Sequence, residues 1–225
     1  LAEHGKESLR DRLLTAEFLV YLIVALSVYM PNALREVLRC VIEGLRTLGY
    51  RKGANISVAT KGAISRARTR LGWEVMKALY EQVARPLATP KTRGAWYKRW
   101  RLAALDGTTL ALAYTAKNEE AFGTHASKEG EGAFPLLKLV ALVEVGTHAV
   151  LRMAFDACAV AEVVLAEHLL PAMGSGMLVI EDRGFVGYDW WRQVRGTGAD
   201  ILCRLRKNMH LPVHRRLPDG SYLSV

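Results

Sequence analysis

The chain has 225 residues and a mass of 24.9 kDa, enough for one large domain or two small ones. With 51% hydrophobic and 24% charged residues it can bury a core, which excludes a chain that is disordered by composition. The net charge of +9 points to a polyanionic partner, and three widely spaced cysteines (Cys40, Cys158 and Cys203) exclude a disulfide framework or a Cys-x-x-Cys zinc site and fit a reducing compartment.

Leu9–Met30 reads as a helix whose second half, from Phe18, is almost wholly apolar. These 13 residues are too few to span a bilayer, which takes ~20. Glu7, Asp11 and Glu17 break any positive n-region, so a buried helix is expected rather than a membrane span or a signal peptide. Pro31–Asn32 stops it, and Ala33–Leu48 follows with Leu34, Val37, Leu38, Val41, Leu45 and Leu48 on one face. Ser57 opens a third helix through Leu71, with Ala63, Ala67 and Leu71 every four residues and Lys61, Arg66, Arg68 and Arg70 on the other face. That basic face either grips DNA as part of a helix-turn-helix-like unit or is a solvated surface. Gly72 breaks the helix, Trp73–Arg85 forms a fourth, and Pro86, Pro90 and Gly94 mark a basic linker. Residues 46–105 carry 14 Lys/Arg against 2 Asp/Glu, so residues 1–100 are expected to form a helical, basic DNA-binding domain. Trp96, Tyr97 and Trp100, interleaved with Lys98, Arg99 and Arg101, suit either packing between domains or stacking on unpaired bases.

After residue 100 the period becomes strand-like. Arg101–Asp106 is a short apolar run ending in an acid, and Thr108–Tyr114 follows after one Gly as a hairpin partner would. Lys117–Phe134 is polar and Gly-rich, a loop or lid. Leu136–Val145 and His148–Phe155 are strands, Val160–Leu170 is a helix, Met177–Asp182 a strand, Gly187–Arg195 a helix and Asp200–Arg206 a strand. The result is an α/β layer with three antiparallel strands first and helical crossovers after, giving an α+β or α/β chain overall.

Charge and strand pattern meet at two residues. Residues 106–182 carry 4 Lys/Arg against 11 Asp/Glu, and residues 183–225 carry 8 against 3, so an acidic block lies between basic ones. Asp106 ends Leu-Ala-Ala-Leu-Asp-Gly, and Asp182 ends Met-Leu-Val-Ile-Glu-Asp-Arg-Gly-Phe. Carboxylates at the tips of neighbouring strands are held rigidly, reach solvent and suit hard divalent cations. Asp-Gly and Asp-Arg-Gly are also plain turn signals. Arg183 either touches a phosphate beside such a site or forms a surface ion pair. Arg204, Arg206 and Lys207 either hold a DNA backbone or are solvated edge charges.

Ala104-Leu-Asp-Gly-Thr-Thr-Leu, Gly132-Ala-Phe-Pro with Leu139-Val-Ala-Leu-Val-Glu-Val-Gly-Thr-His, Ile180-Glu-Asp-Arg-Gly-Phe, Arg206-Lys-Asn-Met-His-Leu-Pro-Val and Leu217-Pro-Asp-Gly-Ser-Tyr together resemble bacterial insertion-sequence transposases of the DDE (Asp-Asp-Glu) type, in the IS-four group. The likeness is specific over residues 102–225 and looser over the helical part. It implies an RNase H-like catalytic core over residues 101–225, with Asp106 and Asp182 as the first and second metal-binding acids. It further implies Mg²⁺ or Mn²⁺, double-stranded DNA as partner (transposon terminal repeats and target), cleavage at transposon ends and strand transfer, and a cytoplasmic, nucleoid-associated protein with room for a homodimer.

The family's third acid is a Glu on a late helix, and no Glu follows Glu181 here. Leu211–Val225, with its Pro-Asp-Gly turn, looks like the opening hairpin of the β-rich insertion that precedes that helix. The expectation is therefore an incomplete core, truncated before its third ligand, that binds DNA and cleaves poorly or not at all. The alternatives are a non-catalytic DNA-binding remnant or regulator, and an RNase H-like nuclease with no role in transposition.

Overall fold

The computed structural model describes residues 1–2, 5–6, 14–49, 59–127 and 130–224, which divide into two compact units, Leu1–Val83 and Ala84–Val225. The expected helical starts between residues 9 and 13 and at Ser57 lie outside the described residues.

The first unit is helical. Helix α1 (Ala16–Val28) is capped by Thr15, whose Oγ1 accepts from Phe18 N at 3.2 Å. Helix α2 (Leu34–Thr47) turns Val37, Leu38 and Leu45 inward. Helix α3 (Lys61–Leu71) is capped by Thr60, and Ile64, Ala67 and Leu71 are buried along one side. Helix α4 (Glu74–Val83) adds Val75 to the same core, where Phe18, Leu19 and Leu22 of α1 are almost fully enclosed. Burial of each such side chain contributes roughly 1.5–3 kcal/mol.

The second unit is a mixed sheet with helices. A tight hairpin joins β1 (Trp96–Tyr97) to β2 (Trp100–Ala111). Helix α5 (Ala116–Phe122), β3 (Thr124–Ser127), β4 (Gly130–Glu144) and β5 (Val150–Ala157) follow, then α6 (Glu162–Glu167), β6 (Met177–Glu181), α7 (Tyr188–Gly196) and β7 (Asp200–Cys203). The central strands lie in the order β5-β4-β2-β6-β7. β5, β4 and β2 are antiparallel neighbours, while β6 and β7 run parallel to β2. Three antiparallel strands followed by two parallel crossovers is the RNase H-like arrangement, here preceded by helices. Ala103, Leu105, Val140, Leu142 and Val179 turn one face of the sheet onto Leu165, Ala166 and Leu169 near α6 and onto Trp190 and Val194 of α7. A small hairpin, β8 (Arg215–Arg216) with β9 (Tyr222–Leu223), closes the described chain around the Pro-Asp-Gly turn.

Three expectations are corrected here. Residues 101–114 are not a hairpin: β2 runs unbroken through Gly107, pairing residue by residue with β4 from Ala103↔Glu144 to Ala111↔Leu136. The polar stretch after residue 116 is no simple loop either. Thr115 caps α5 by accepting from Asn118 N at 3.2 Å, and β3 then pairs with β4. The basic segment read as a linker is built into the second unit, because Leu87 N and Ala88 N donate to Glu144 Oε2 at 3.1 and 2.7 Å.

Candidate catalytic site

The parallel ladder between β2 and β6 pairs Arg101↔Met177 through Leu105↔Glu181. Asp106 and Asp182 are the next residue on each strand, so the register carries both aspartates to neighbouring positions at one end of the sheet. The period-2 alternation that buries Ala103, Leu105, Val179 and Glu181 turns the next residues, Asp106 and Asp182, outward, and both are exposed. Asp106 Oδ1 accepts from Gly107 N at 2.8 Å, and Asp182 Oδ1 accepts from Gly184 N at 2.6 Å. Each carboxylate keeps its remaining lone pairs for a ligand, and among the described residues neither forms an ion pair.

A third carboxylate, unremarked in the sequence, lies against the glycines that follow them. Glu162 opens α6, directly after the third antiparallel strand. A Cβ at Gly107 would lie 2.7 Å from Glu162 Oε1, and a Cβ at Gly184 would lie 2.8 Å from Asp182 Oδ1 and 3.8 Å from Glu162 Oε2. The two glycines thus leave the room that these carboxylates occupy. No local pattern in the sequence signals this, because Glu162 is 55 residues from Gly107 and 22 from Gly184.

Glu181 is the buried neighbour of Asp182. Burial pushes its carboxyl above the usual range, the Trp190 Nε1–H donated at 2.8 Å opposes this, and the Asp182 charge adds to the rise. Its place in the alternation with Met177 and Val179 is the signal that could have found it.

The basic residues fall into two groups. In the second unit Arg183, Arg204, Arg206 and Lys207 are all exposed. Arg206 Nε donates to the Arg183 carbonyl at 3.1 Å, and Arg204 N donates to the Glu181 carbonyl at 3.4 Å, which ties the segment after β7 to the loop that carries Asp182. In the first unit Lys61, Arg66, Arg68 and Arg70 are exposed on α3, and Arg70 Nη2 also donates to the Leu14 carbonyl at 3.1 Å. The aromatic cluster is occupied within the second unit. Tyr97 and Trp100 stack at 6.3 Å, Arg101 lies 4.6 Å over Trp96, and Trp100 Nε1 donates to Asp200 Oδ2 at 2.6 Å.

Residues 99–221 match the Transposase DDE domain, and residues 1–81 match the Insertion element 4 transposase N-terminal domain. The chain belongs to the DDE transposases of insertion sequences. It is 25% identical over 99% of its length to transposase InsG for insertion sequence element IS4 of Escherichia coli K12, of which it covers 49%. It is 24% identical over 60% of its length to the putative transposase InsZ of the same organism, covering 46% of that protein. The chain therefore spans about half the length of these relatives. Among solved structures it is similar to a piggyBac transposase synaptic complex with hairpin DNA, at 14% identity and a TM-score of 0.42, covering 86% of this chain and 41% of that one. Among the described residues of this DDE transposase no helix is long and apolar enough to cross a membrane.

Proposed function

We propose that the chain is the DNA-gripping and metal-binding part of an insertion-sequence transposase, with Asp106 and Asp182 serving cleavage at transposon ends and strand transfer to target DNA. The observation that carries this reading is the β2–β6 ladder, just beyond whose last pair stand two exposed aspartates that form no ion pair among the described residues.

The donor set fits a hard divalent cation such as Mg²⁺ or Mn²⁺: the groups are carboxylate oxygens, and Gly107 and Gly184 add no side chain of their own beside them. When bound, such an ion would activate the attacking water or 3′-hydroxyl and neutralise charge on the scissile phosphate. Asp106 is fixed by the strand in which it lies, and Asp182 is oriented by the Gly184 N–H. Arg183, Arg204, Arg206 and Lys207 supply positive charge for the phosphate backbone close to the acids, and Lys61, Arg66 and Arg68 supply it on α3. Arg70, on the same helix, also donates to the Leu14 carbonyl.

The decisive experiment follows nicking of a labelled terminal-repeat duplex with Mg²⁺ or Mn²⁺. Asp182→Asn, and chelation of the metal, are expected to reduce nicking to background while binding in a gel shift is unchanged, because the lost group is a metal ligand and not a phosphate clamp. Nicking that survives Asp182→Asn overturns the assignment. Binding without nicking by the unaltered chain supports a DNA-binding regulator instead, and cutting of RNA–DNA hybrid or arbitrary duplex supports a general nuclease.

A further inference from the structure

We propose that the β1–β2 hairpin is a separate contact for the phosphate backbone of duplex DNA, made by Lys98 and Arg99 at its tip and remote from the two aspartates. The inference rests on the reading of the chain as a DNA-gripping protein and adds an element to it. The last pair of the hairpin is Tyr97↔Trp100, so Lys98 and Arg99 form a two-residue turn. Lys98 takes a φ of 53°, a left-handed conformation that Gly adopts freely and a lysine only at a cost. A turn built for stability alone would place Gly or Asn there. This one carries two adjacent cations instead, and both are exposed.

The neighbouring rings hold those cations in place. Tyr97 and Trp100 stack at 6.3 Å with 13° between their planes. Lys98 Nζ lies 5.5 Å from the centre of the Tyr97 ring, and Arg99 Cζ lies 4.9 Å from a ring centre of Trp100. An aromatic face attracts a cation without neutralising it, so both charges stay available to an anion. The base of the hairpin is fixed as well. Trp100 Nε1 donates to Asp200 Oδ2 at 2.6 Å, Trp96 Nε1 donates to the Thr89 carbonyl at 2.9 Å, and Arg101 pairs with the buried Glu144. An arm ordered in this way loses little conformational freedom when it meets a ligand.

Charge selects the class of ligand. Residues 84–105 contain six Lys/Arg and no Asp/Glu. Arg101 is paired with Glu144, while Arg85, Lys91, Arg93, Lys98 and Arg99 are exposed and form no ion pair among the described residues. The acid bound to the hairpin's base, Asp200, is already engaged by Arg195. A polyanion with regularly spaced charges matches such a surface. Trp100 starts β2 at the opposite end of the β2–β6 ladder from Asp106, six residues of strand away, or about 20 Å at about 3.3 Å per residue. A duplex gripped both there and beside the aspartates is held at two separate stretches of its backbone.

The test is the salt dependence of duplex binding in fluorescence anisotropy, with a labelled terminal-repeat duplex and an unrelated duplex, for the unaltered chain, Lys98→Gly, and Lys98→Gly combined with Arg99→Ala. The slope of log affinity against log salt is expected to fall by about 1 for Lys98→Gly and by about 2 for the double variant. The loss should be equal on the two duplexes, because a phosphate contact carries no sequence information. Lys98→Gly also relieves the left-handed backbone, so its Tm is expected to be unchanged or higher, which separates a lost contact from a lost fold. Slopes unchanged in both variants overturn the hairpin contact and leave the reading of the chain as a DNA-gripping protein standing. A reduced slope together with a lower Tm in Lys98→Gly also overturns it, since Lys98 then serves the fold. No salt-dependent duplex binding by the unaltered chain overturns both.

Discussion

Glu144 and Glu181 both sit in the sheet with almost no exposure, and their surroundings push them in opposite directions. For Glu144, burial acts to raise the pKa, but hydrogen bonds from Thr147, from Ala88 N and Leu87 N, and from Arg101 outweigh it and hold the carboxyl below its usual range. A carboxylate with a depressed folded-state pKa adds stability that is complete above its unfolded pKa of roughly 4.3. That stability is lost as the pH falls through the folded value. Glu144→Ala, which leaves Arg101 without its carboxylate and two backbone N–H groups without their acceptor, is expected to cost about 3–5 kcal/mol at pH 7 in urea unfolding. The gap should narrow below about pH 4, and a gap constant from pH 7 to pH 3 would deny the charge any part in it. Glu181 has the opposite sign: its raised pKa favours the folded state at low pH, and that advantage disappears as the pH rises through the folded value.

At the scale of elements, two glycines show why some of the fold was legible and some was not. Gly146, after β4, packs against backbone: a Cβ there would lie 2.5 Å from Ala95 N and 2.7 Å from Ala95 Cα. Gly146→Ala is expected to cost about 1–3 kcal/mol as overpacking, read as a fall in Tm of about 2–4 °C for each kcal/mol; an unchanged Tm would mean that Ala95 and the turn after β4 are not in contact. Gly107 looks like the same kind of punctuation in the sequence, and reads as a hairpin turn. Its reason for being Gly is distant, the carboxylate of Glu162, and so β2 continues where a local reading breaks it. Helix α2, by contrast, is written in the spacing of Val37, Leu38 and Leu45, and α3 in that of Ala67 and Leu71, with Ile64 buried where the four-residue repeat pointed to its neighbour Ala63. Helix α5 was hidden because its stretch is polar and none of its residues is buried, leaving only the Thr115 cap as a signal. Asp106 and Asp182 stood out because each ends an apolar run; Glu162 did not, because its neighbours in space come from other elements.

Across the whole chain the basic residues are divided between the two compact units, with 13 Lys/Arg in Leu1–Val83 and 18 in Ala84–Val225. If both groups meet DNA phosphates, affinity for duplex falls steeply with salt, by roughly 0.9 log units per phosphate contact per log unit of salt. Replacing Arg66, Arg68, Arg183 or Arg206 singly with Ala should lower that slope by about 1 each. A salt-independent affinity in fluorescence anisotropy would remove these residues from the DNA face. The two aspartates are also mounted differently. Asp106 lies inside a strand of 12 residues, still laddered to Ala141 on its β4 side, whereas Asp182 comes after the last paired residue of β6 and begins a turn. In the proposed site one acid is therefore held in a strand that is laddered on both sides and the other by a turn, and Arg183, whose carbonyl accepts from Arg206 Nε, belongs to that same turn.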